Sequence, residues 1–159
     1  MDWPGLIPIF HRWIRDNKLP GTLIDVADYA HVPAGPGVLL IAHDAFYGVD
    51  NREDKPGFLY NRRTSDPSGV SDKIRNAYDS TSSAAILLEA EMKGLKFDQN
   101  NFEISVNDRL AGPNSDITDS EVRPWVESLY KERFGSSPVI QRDLSDPRGL
   151  FRLRVRPAE

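Results

Sequence analysis

The sequence predicts an α+β fold, in which a mixed, mainly antiparallel sheet carries two long helices on one face, as a two-layer sandwich with a short N-terminal helix. Three observations lead to this prediction. Short segments that alternate apolar and polar residues are separated by turn-forming residues, as in hairpins. Two longer segments each carry a single apolar stripe at helical spacing. In the resulting order, α-β-β-β-α-β-α-β-β, most strands directly follow another strand and are expected to pair with it as a hairpin.

Three segments are predicted to be helical. Residues 6–16 form a short amphipathic helix, and residues 70–93 give the strongest helical pattern of the chain. Residues 119–134 form the third helix, where Thr118 to Glu121 match a capping box. Pro124 conflicts with a start at that point, because a proline beyond the first turn removes a backbone hydrogen bond. We therefore expect a shifted start or a bend.

Six segments are predicted to be strands. Two of them flank a polar loop and form a long-looped hairpin, and the last two form another hairpin around the turn Asp146–Gly149. The six predicted strands cover residues 22–26, 37–49, 57–63, 102–107, 138–142 and 150–156.

Length and composition narrow the class of protein. The 159 residues suit one α+β domain over residues 1–159. The absence of cysteine excludes a disulfide scaffold, a thiol nucleophile and a cysteine-ligated metal centre. A net charge of −4 gives no general attraction to nucleic acid, which we do not expect as a partner. The N-terminus has no signal-peptide pattern and no apolar run approaches a membrane span, so we expect a cytoplasmic protein without membrane contact.

The stretch Gly37–Gly48 is the most informative part of the sequence, since five apolar residues run directly into His43 and Asp44. Neighbours in a strand point to opposite faces, so His43 and Asp44 are not expected to form a dyad. A hairpin loop centred near residues 53 and 54 places Tyr47 opposite Tyr60. It also places Asp44 opposite Arg63. One face then carries His43, Tyr47, Tyr60 and Arg62, and the other carries Asp44, Asn61 and Arg63.

Two interpretations of these faces remain open. In the structural one, Asp44 pairs with Arg63 across the strands and His43 bonds to backbone or to a tyrosine hydroxyl. In the functional one, His43 is the acid or base of a small enzyme, helped by Tyr47, Tyr60 and Arg62.

Arginines alternate along the last predicted strand, which puts Arg152, Arg154 and Arg156 on one face, and the partner strand adds Arg142. This basic stripe could hold an anionic ligand or a nucleic-acid backbone. The structural alternative is a solvated sheet face that carboxylates such as Glu103 and Asp143 neutralise across the strands.

Residues 107–116 join a strand to a helix, a position where open α/β sheets bind ligands. The segment has neither a glycine-rich phosphate motif nor EF-hand spacing, so capping and turn chemistry explain it better.

The three histidines, His11, His31 and His43, do not follow the spacing of known metal motifs, and we expect neither a metal nor a cofactor. Phe10 and Trp13 in the N-terminal helix either pack against the sheet or form an exposed anchor for a homo-oligomer or a partner protein.

The leading hypothesis is a non-catalytic module that binds a protein or a small ligand, as a homo-oligomer. Each ionisable cluster in the sequence has a structural explanation, which is the reason for preferring a binding module. The alternatives are the enzyme built on His43 and an anion- or nucleic-acid-binding protein built on the arginine stripe.

Overall fold

The computed structural model describes residues 3–32, 35–50, 57–64 and 67–158. It confirms the α+β class and the short N-terminal helix. The described residues form three helices and seven strands, with these bounds: α1 Trp3–Arg15, β1 Leu23–Tyr29, β2 Gly37–Ala42, β3 Ala45–Asp50, β4 Gly57–Arg62, α2 Val70–Glu91, β5 Phe102–Val106, α3 Asp116–Phe134, β6 Pro138–Arg142 and β7 Phe151–Pro157.

The strands form two antiparallel sheets, where the sequence pattern indicated one. The first has the order β1-β2-β3-β4 and the second the order β5-β7-β6. A hairpin pattern specifies which neighbouring strands pair, but it does not specify whether the edge of one hairpin joins another. This is why the division between two sheets was not visible in the sequence.

The described chain divides into two compact units. The described residues up to Pro67, together with Asn76–Phe97, form the first unit, and Ser68–Arg75 with the described residues from Asp98 onward form the second. The expectation of a single domain over residues 1–159 stays a prediction.

The core of the first unit lies around β2. Val38 and Leu40 are fully buried, and Leu39 between them is only 7% exposed, so neither face of β2 meets solvent at this point. Ala84 and Leu88 from α2 belong to the same apolar cluster. A strand buried on both faces reads as a continuous apolar run, which explains the sequence pattern of residues 38–42.

The N-terminal helix α1 packs into this core through Phe10 and Trp13, whose side chains are fully buried. The Trp13 indole Nε1 donates a hydrogen bond to Glu91 Oε1 at 2.6 Å, and Arg12 contacts the other oxygen of the same carboxylate. The prediction that Phe10 and Trp13 form an exposed anchor for a partner is therefore wrong. The apolar stripe of the helix is covered by the protein's own core.

The second unit buries one face of its sheet. Phe151, Leu153 and Val155 of the central strand β7 are fully buried, while the arginines between them are on the other face. The helix α3 lies against β6 and β7, and its buried residues are Thr118, Val122, Val126, Leu129 and Tyr130.

The start of α3 is shifted relative to the predicted capping box. The Ser115 side chain accepts a hydrogen bond from the Thr118 backbone amide and caps a helix that begins at Asp116. The helix therefore starts three residues earlier than predicted, and Pro124 lies inside it. The C-terminal hairpin is confirmed, with Ile140 opposite Val155.

Candidate functional site

The predicted strand over residues 37–49 is two strands, because the chain reverses at His43 and Asp44. β2 pairs with β3 antiparallel, with Ile41 opposite Phe46. The turn is held on both sides, since the His43 amide donates to the Thr22 carbonyl and the Asp44 carbonyl accepts from the Arg63 amide. The sequence concealed this turn because it contains neither glycine nor proline and because apolar residues resume directly after it.

The reversal brings the His43 and Asp44 side chains together. His43 Nδ1 lies 2.7 Å from Asp44 Oδ1, and the two side chains are 72% and 53% exposed. The prediction that they point to opposite faces of a strand is therefore wrong. The rule of alternating faces applies within a strand, and these residues lie in a turn.

The predicted register between the next two strands is confirmed. Tyr47 of β3 lies opposite Tyr60 of β4, and Ala45 lies opposite Arg62. The two tyrosine rings are tilted by 55° with centroids 5.0 Å apart, which is a favourable geometry for an aromatic pair. Tyr47 is 3% exposed and belongs to the core cluster, whereas Tyr60 is half-buried.

These tyrosines contribute to a cavity of about 300 Å³ in the first unit. Three of the four residues predicted as a catalytic group, Tyr47, Tyr60 and Arg62, line it. His43 is not among the lining residues, although its neighbour Asp44 is. The remaining wall consists of Pro20, Gly21, Thr22, Ala42, Ala45, Asn76, Asp79 and Ser80.

The Tyr47 hydroxyl lies beside the Ser80 side chain, which can hydrogen-bond to it. Burial raises the pKa of Tyr47 above its ordinary value of 10, and the neighbouring Tyr60 adds to the increase, while the bond with Ser80 opposes it. The phenol therefore stays protonated at neutral pH. It is suited to hydrogen bonding, and it is poorly suited to proton abstraction.

Besides Thr22, four polar wall residues were not predicted as site residues: Asp44, Asn76, Asp79 and Ser80. Asp44 was assigned to the wrong face because the turn was missed. The other three lie on α2, where Ser80 belongs to a run of small polar residues inside an otherwise apolar pattern. That run was the available signal, because small side chains in a helix allow a neighbouring strand to approach closely.

The arginine stripe of the second unit is largely neutralised. Arg152 Nε lies 3.1 Å from Glu103 Oε1, and Arg154 Nε lies 3.6 Å from Glu103 Oε2. Both arginines are also 3.9 Å from Asp143. The sheet face therefore matches the structural interpretation, in which carboxylates on neighbouring segments neutralise the arginines. Arg156, opposite Val139, is exposed at the end of the same face.

Arg142 pairs with a different carboxylate, that of Asp116. Its side chain is only 15% exposed and forms an ion pair with Asp116 at 2.8 Å. Arg142 and Arg154 line a second hollow of about 280 Å³ together with Gln141, Asp143, Leu144 and Ser145.

Within the described ranges, no three histidine or acidic side chains come close enough together to hold a metal ion. Across the same residues, no helix has the length and apolar character that crossing a bilayer requires. Comparison of the chain with protein-family models, curated protein sequences and solved structures gives no match.

Proposed function

We propose that the protein is a non-catalytic, cytoplasmic binding module whose first unit takes a small polar ligand in the cavity beside Tyr47 and Tyr60. The observation that carries the proposal is the composition of the wall. An aromatic pair, small apolar residues and several polar groups converge on one space of about 300 Å³. This volume lies at the lower end of the range for small-molecule sites, roughly 300–1,000 Å³.

Binding is favoured over catalysis by the state of the tyrosines. Tyr47 is buried beside Ser80, and burial raises its pKa further, so its phenol is a hydrogen-bonding group of the wall and a poor base. The half-buried Tyr60 packs against it at a tilt and provides the ring that a ligand can reach. A rigid ring pair lowers the conformational entropy that binding costs.

The charges of the wall indicate the class of ligand. Asp44 and Asp79 offer carboxylates, and Arg62 offers a guanidinium group within the same cavity. A ligand that carries both an ammonium and a carboxylate group would find complementary charge for each, and an ammonium group is also attracted to a tyrosine face. We therefore propose a small zwitterion of amino-acid size.

Thermal unfolding in the presence of free amino acids, simple amines and simple sugars tests this proposal. A ligand at a hundred times its dissociation constant stabilises the folded state by about 2.7 kcal/mol, which gives a clear rise in melting temperature. We expect that rise with at least one amino acid. Calorimetric titration of the stabilising compound then gives its affinity.

Variants of two adjacent arginines locate the binding site. Arg62→Ala should abolish the stabilisation, since Arg62 lines the cavity, whereas Arg63→Ala should preserve it, since Arg63 does not. If no compound stabilises the protein, the binding proposal fails. If only sugars or simple amines do so in an Arg62- or Tyr60-dependent way, the cavity is a ligand site but the zwitterion is the wrong class.

The second candidate function is the small enzyme, with His43 as acid or base assisted by Tyr47, Tyr60 and Arg62. The contact between His43 Nδ1 and Asp44 at 2.7 Å supports it, because a carboxylate on Nδ1 orients the imidazole and leaves Nε2 as its other reactive nitrogen. His43→Gln distinguishes the two functions. A variant that binds the ligand normally but no longer converts it would favour the enzyme, and unchanged behaviour would favour the binding module.

A further inference from the structure

The wall of the cavity in the first unit carries more negative than positive charge. Among the described residues that line it, the charged side chains are two carboxylates, Asp44 and Asp79, and one guanidinium group, Arg62. A zwitterion with a single ammonium group can neutralise only one of the two carboxylates. We propose that the ligand is a dibasic amino acid, whose side chain carries a second ammonium group. This inference rests on the function proposed above and narrows the class of ligand.

Asp44 and Arg62 lie on adjoining parts of the backbone, at one end of the first sheet. Ala45, which follows Asp44, pairs with Arg62 across β3 and β4. The Arg63 amide also donates to the Asp44 carbonyl at 2.8 Å. Both side chains line the cavity, so a carboxylate and a guanidinium group enter it from neighbouring positions. They suit the ammonium and carboxylate groups that an amino acid carries on its α-carbon.

The second carboxylate of the wall lies on a different element, the helix α2. Asn76, Asp79 and Ser80 all line the cavity, and their spacing puts them on one face of the helix. Asp79 is half-buried, whereas the side chain of Asp44 is 53% exposed. Because water competes less at a half-buried carboxylate, Asp79 should contribute more to selectivity than Asp44. The side-chain ammonium group of the ligand is therefore assigned to Asp79.

The tyrosine pair lies next to this helical wall. The Tyr47 hydroxyl lies beside Ser80, the residue that follows Asp79. The Tyr60 ring packs against Tyr47 with centroids 5.0 Å apart. A tyrosine face attracts ammonium groups, and it also offers apolar surface to the methylene chain of lysine or ornithine. The half-buried Tyr60 is the ring that can supply both contacts.

Calorimetric titration with matched probes tests the inference. Norleucine is lysine without its side-chain ammonium group, norvaline is ornithine without it, and cadaverine is lysine without its carboxylate. We expect lysine or ornithine to bind about fivefold or more tightly than its uncharged counterpart, because a hydrogen bond to a charged group contributes at least that much. Cadaverine should bind more weakly than lysine, since it offers nothing to Arg62.

A variant on α2 locates the selectivity. Asp79→Asn removes the charge assigned to the side-chain ammonium group, so it should reduce the preference for the dibasic amino acid over its counterpart by about fivefold. Asp72→Asn on the same helix is the matched control, because Asp72 is exposed and does not line the cavity. It should leave the preference as in the wild type. Thermal unfolding of both variants shows whether the fold is retained.

The outcomes separate this inference from the function on which it rests. If norleucine binds as tightly as lysine and norvaline as tightly as ornithine, the dibasic class is wrong and the amino-acid site stands. The same holds if none of these probes binds while another free amino acid stabilises the protein. Cadaverine binding as tightly as lysine would mean that the carboxylate is not recognised, and it would overturn an amino acid as the ligand. A preference that survives Asp79→Asn would overturn the assignment to Asp79. If no amino acid binds at all, the proposed function itself fails.

Discussion

The interior strands of the two sheets, β2 and β7, place their side chains in different surroundings. In β2, Leu39 and Leu40 are both buried although they point to opposite faces. In β7, Leu153 is buried and its neighbour Arg154 is 49% exposed at the side chain. Side chains on both faces of β2 are therefore enclosed within protein, whereas one face of β7 stays in water.

The same type of residue consequently has a different role in each unit. Arg62 is exposed at the end of β4 and lines the cavity beside the buried Tyr47 and the half-buried Tyr60. Arg154 lies on a solvated face, where Glu103 and Asp143 neutralise it and water weakens the attraction. This contrast supports the proposal that a ligand binds in the first unit.

The largest effect on stability is expected when side chains along both strands are truncated. Leu39→Ala and Leu40→Ala should each lower the free energy of unfolding by about 2–5 kcal/mol, because both leave a cavity in a packed interior. Leu153→Ala should do the same in β7, whereas Arg154→Ala should change it by less than about 0.5 kcal/mol. Urea unfolding followed by circular dichroism measures all four.

The comparison would fail if Leu39→Ala left the free energy of unfolding unchanged, since one face of β2 would then be open to solvent. It would also fail if Arg154→Ala cost as much as Leu153→Ala.

Gly48 offers a sharper test of how tightly β2 is packed. It lies opposite Leu39, and a Cβ atom at Gly48 would be 2.5 Å from Leu39 Cδ2 and 3.0 Å from the Val38 carbonyl oxygen. Gly48→Ala should therefore destabilise the protein by about 1–3 kcal/mol, as measured by thermal unfolding. Gly57→Ala is the control in the same sheet, because a Cβ atom there meets nothing within 4 Å. Equal melting temperatures for the two variants would contradict a close-packed β2.

The smallest expected effect concerns Glu91, which binds Trp13 at the edge of the first core. Burial disfavours the carboxylate, but hydrogen bonds from Arg12 and Trp13 outweigh burial and lower the pKa of Glu91. Its contribution to stability is therefore fully present above the unfolded pKa, about 4.3, and is lost as the pH falls through the folded value.

Trp13→Phe removes one of these hydrogen bonds, which should lower the free energy of unfolding at pH 7 by about 1 kcal/mol. Because Trp13 is fully buried, the smaller ring also leaves a cavity, and this adds a further loss at every pH. The variant should also flatten the loss of stability on acidification. Unfolding free energies measured from neutral to acidic pH give both quantities. An unchanged pH dependence would show that the indole does not stabilise the carboxylate.

The alternating segments were predictable from the sequence because one face of their sheet is buried. Phe151, Leu153 and Val155 show this in β7, and Phe102 and Ile104 show a weaker form in β5. Such alternation fixes the orientation of each side chain. The correct pairing of Tyr47 with Tyr60 was predicted separately, from the midpoint of the loop between the two strands.

The candidate site was only partly predictable, since it depends on a turn that contains neither glycine nor proline. His43 and Asp44 follow an apolar run and precede another, so the local pattern is that of one continuous strand. The turn is instead fixed by bonds to Thr22 and Arg63, which are distant in sequence. Asp79 and Ser80 reach the cavity only because α2 packs in the same unit, and periodicity alone does not identify which residues of a helix face a cavity.

The strand order of the second sheet has a consequence for how the protein folds. β7 lies between β5 and β6, although it follows both in the sequence. The four strands of the first sheet pair with sequence neighbours, which are local contacts that form rapidly. β5 can pair only with Phe151–Pro157, which follows α3 and β6 in the sequence, so this pairing forms last. During synthesis, the first sheet can therefore assemble while β5 and β6 still have unpaired edges, and a chain that stops before Phe151 should leave these edges open to aggregation.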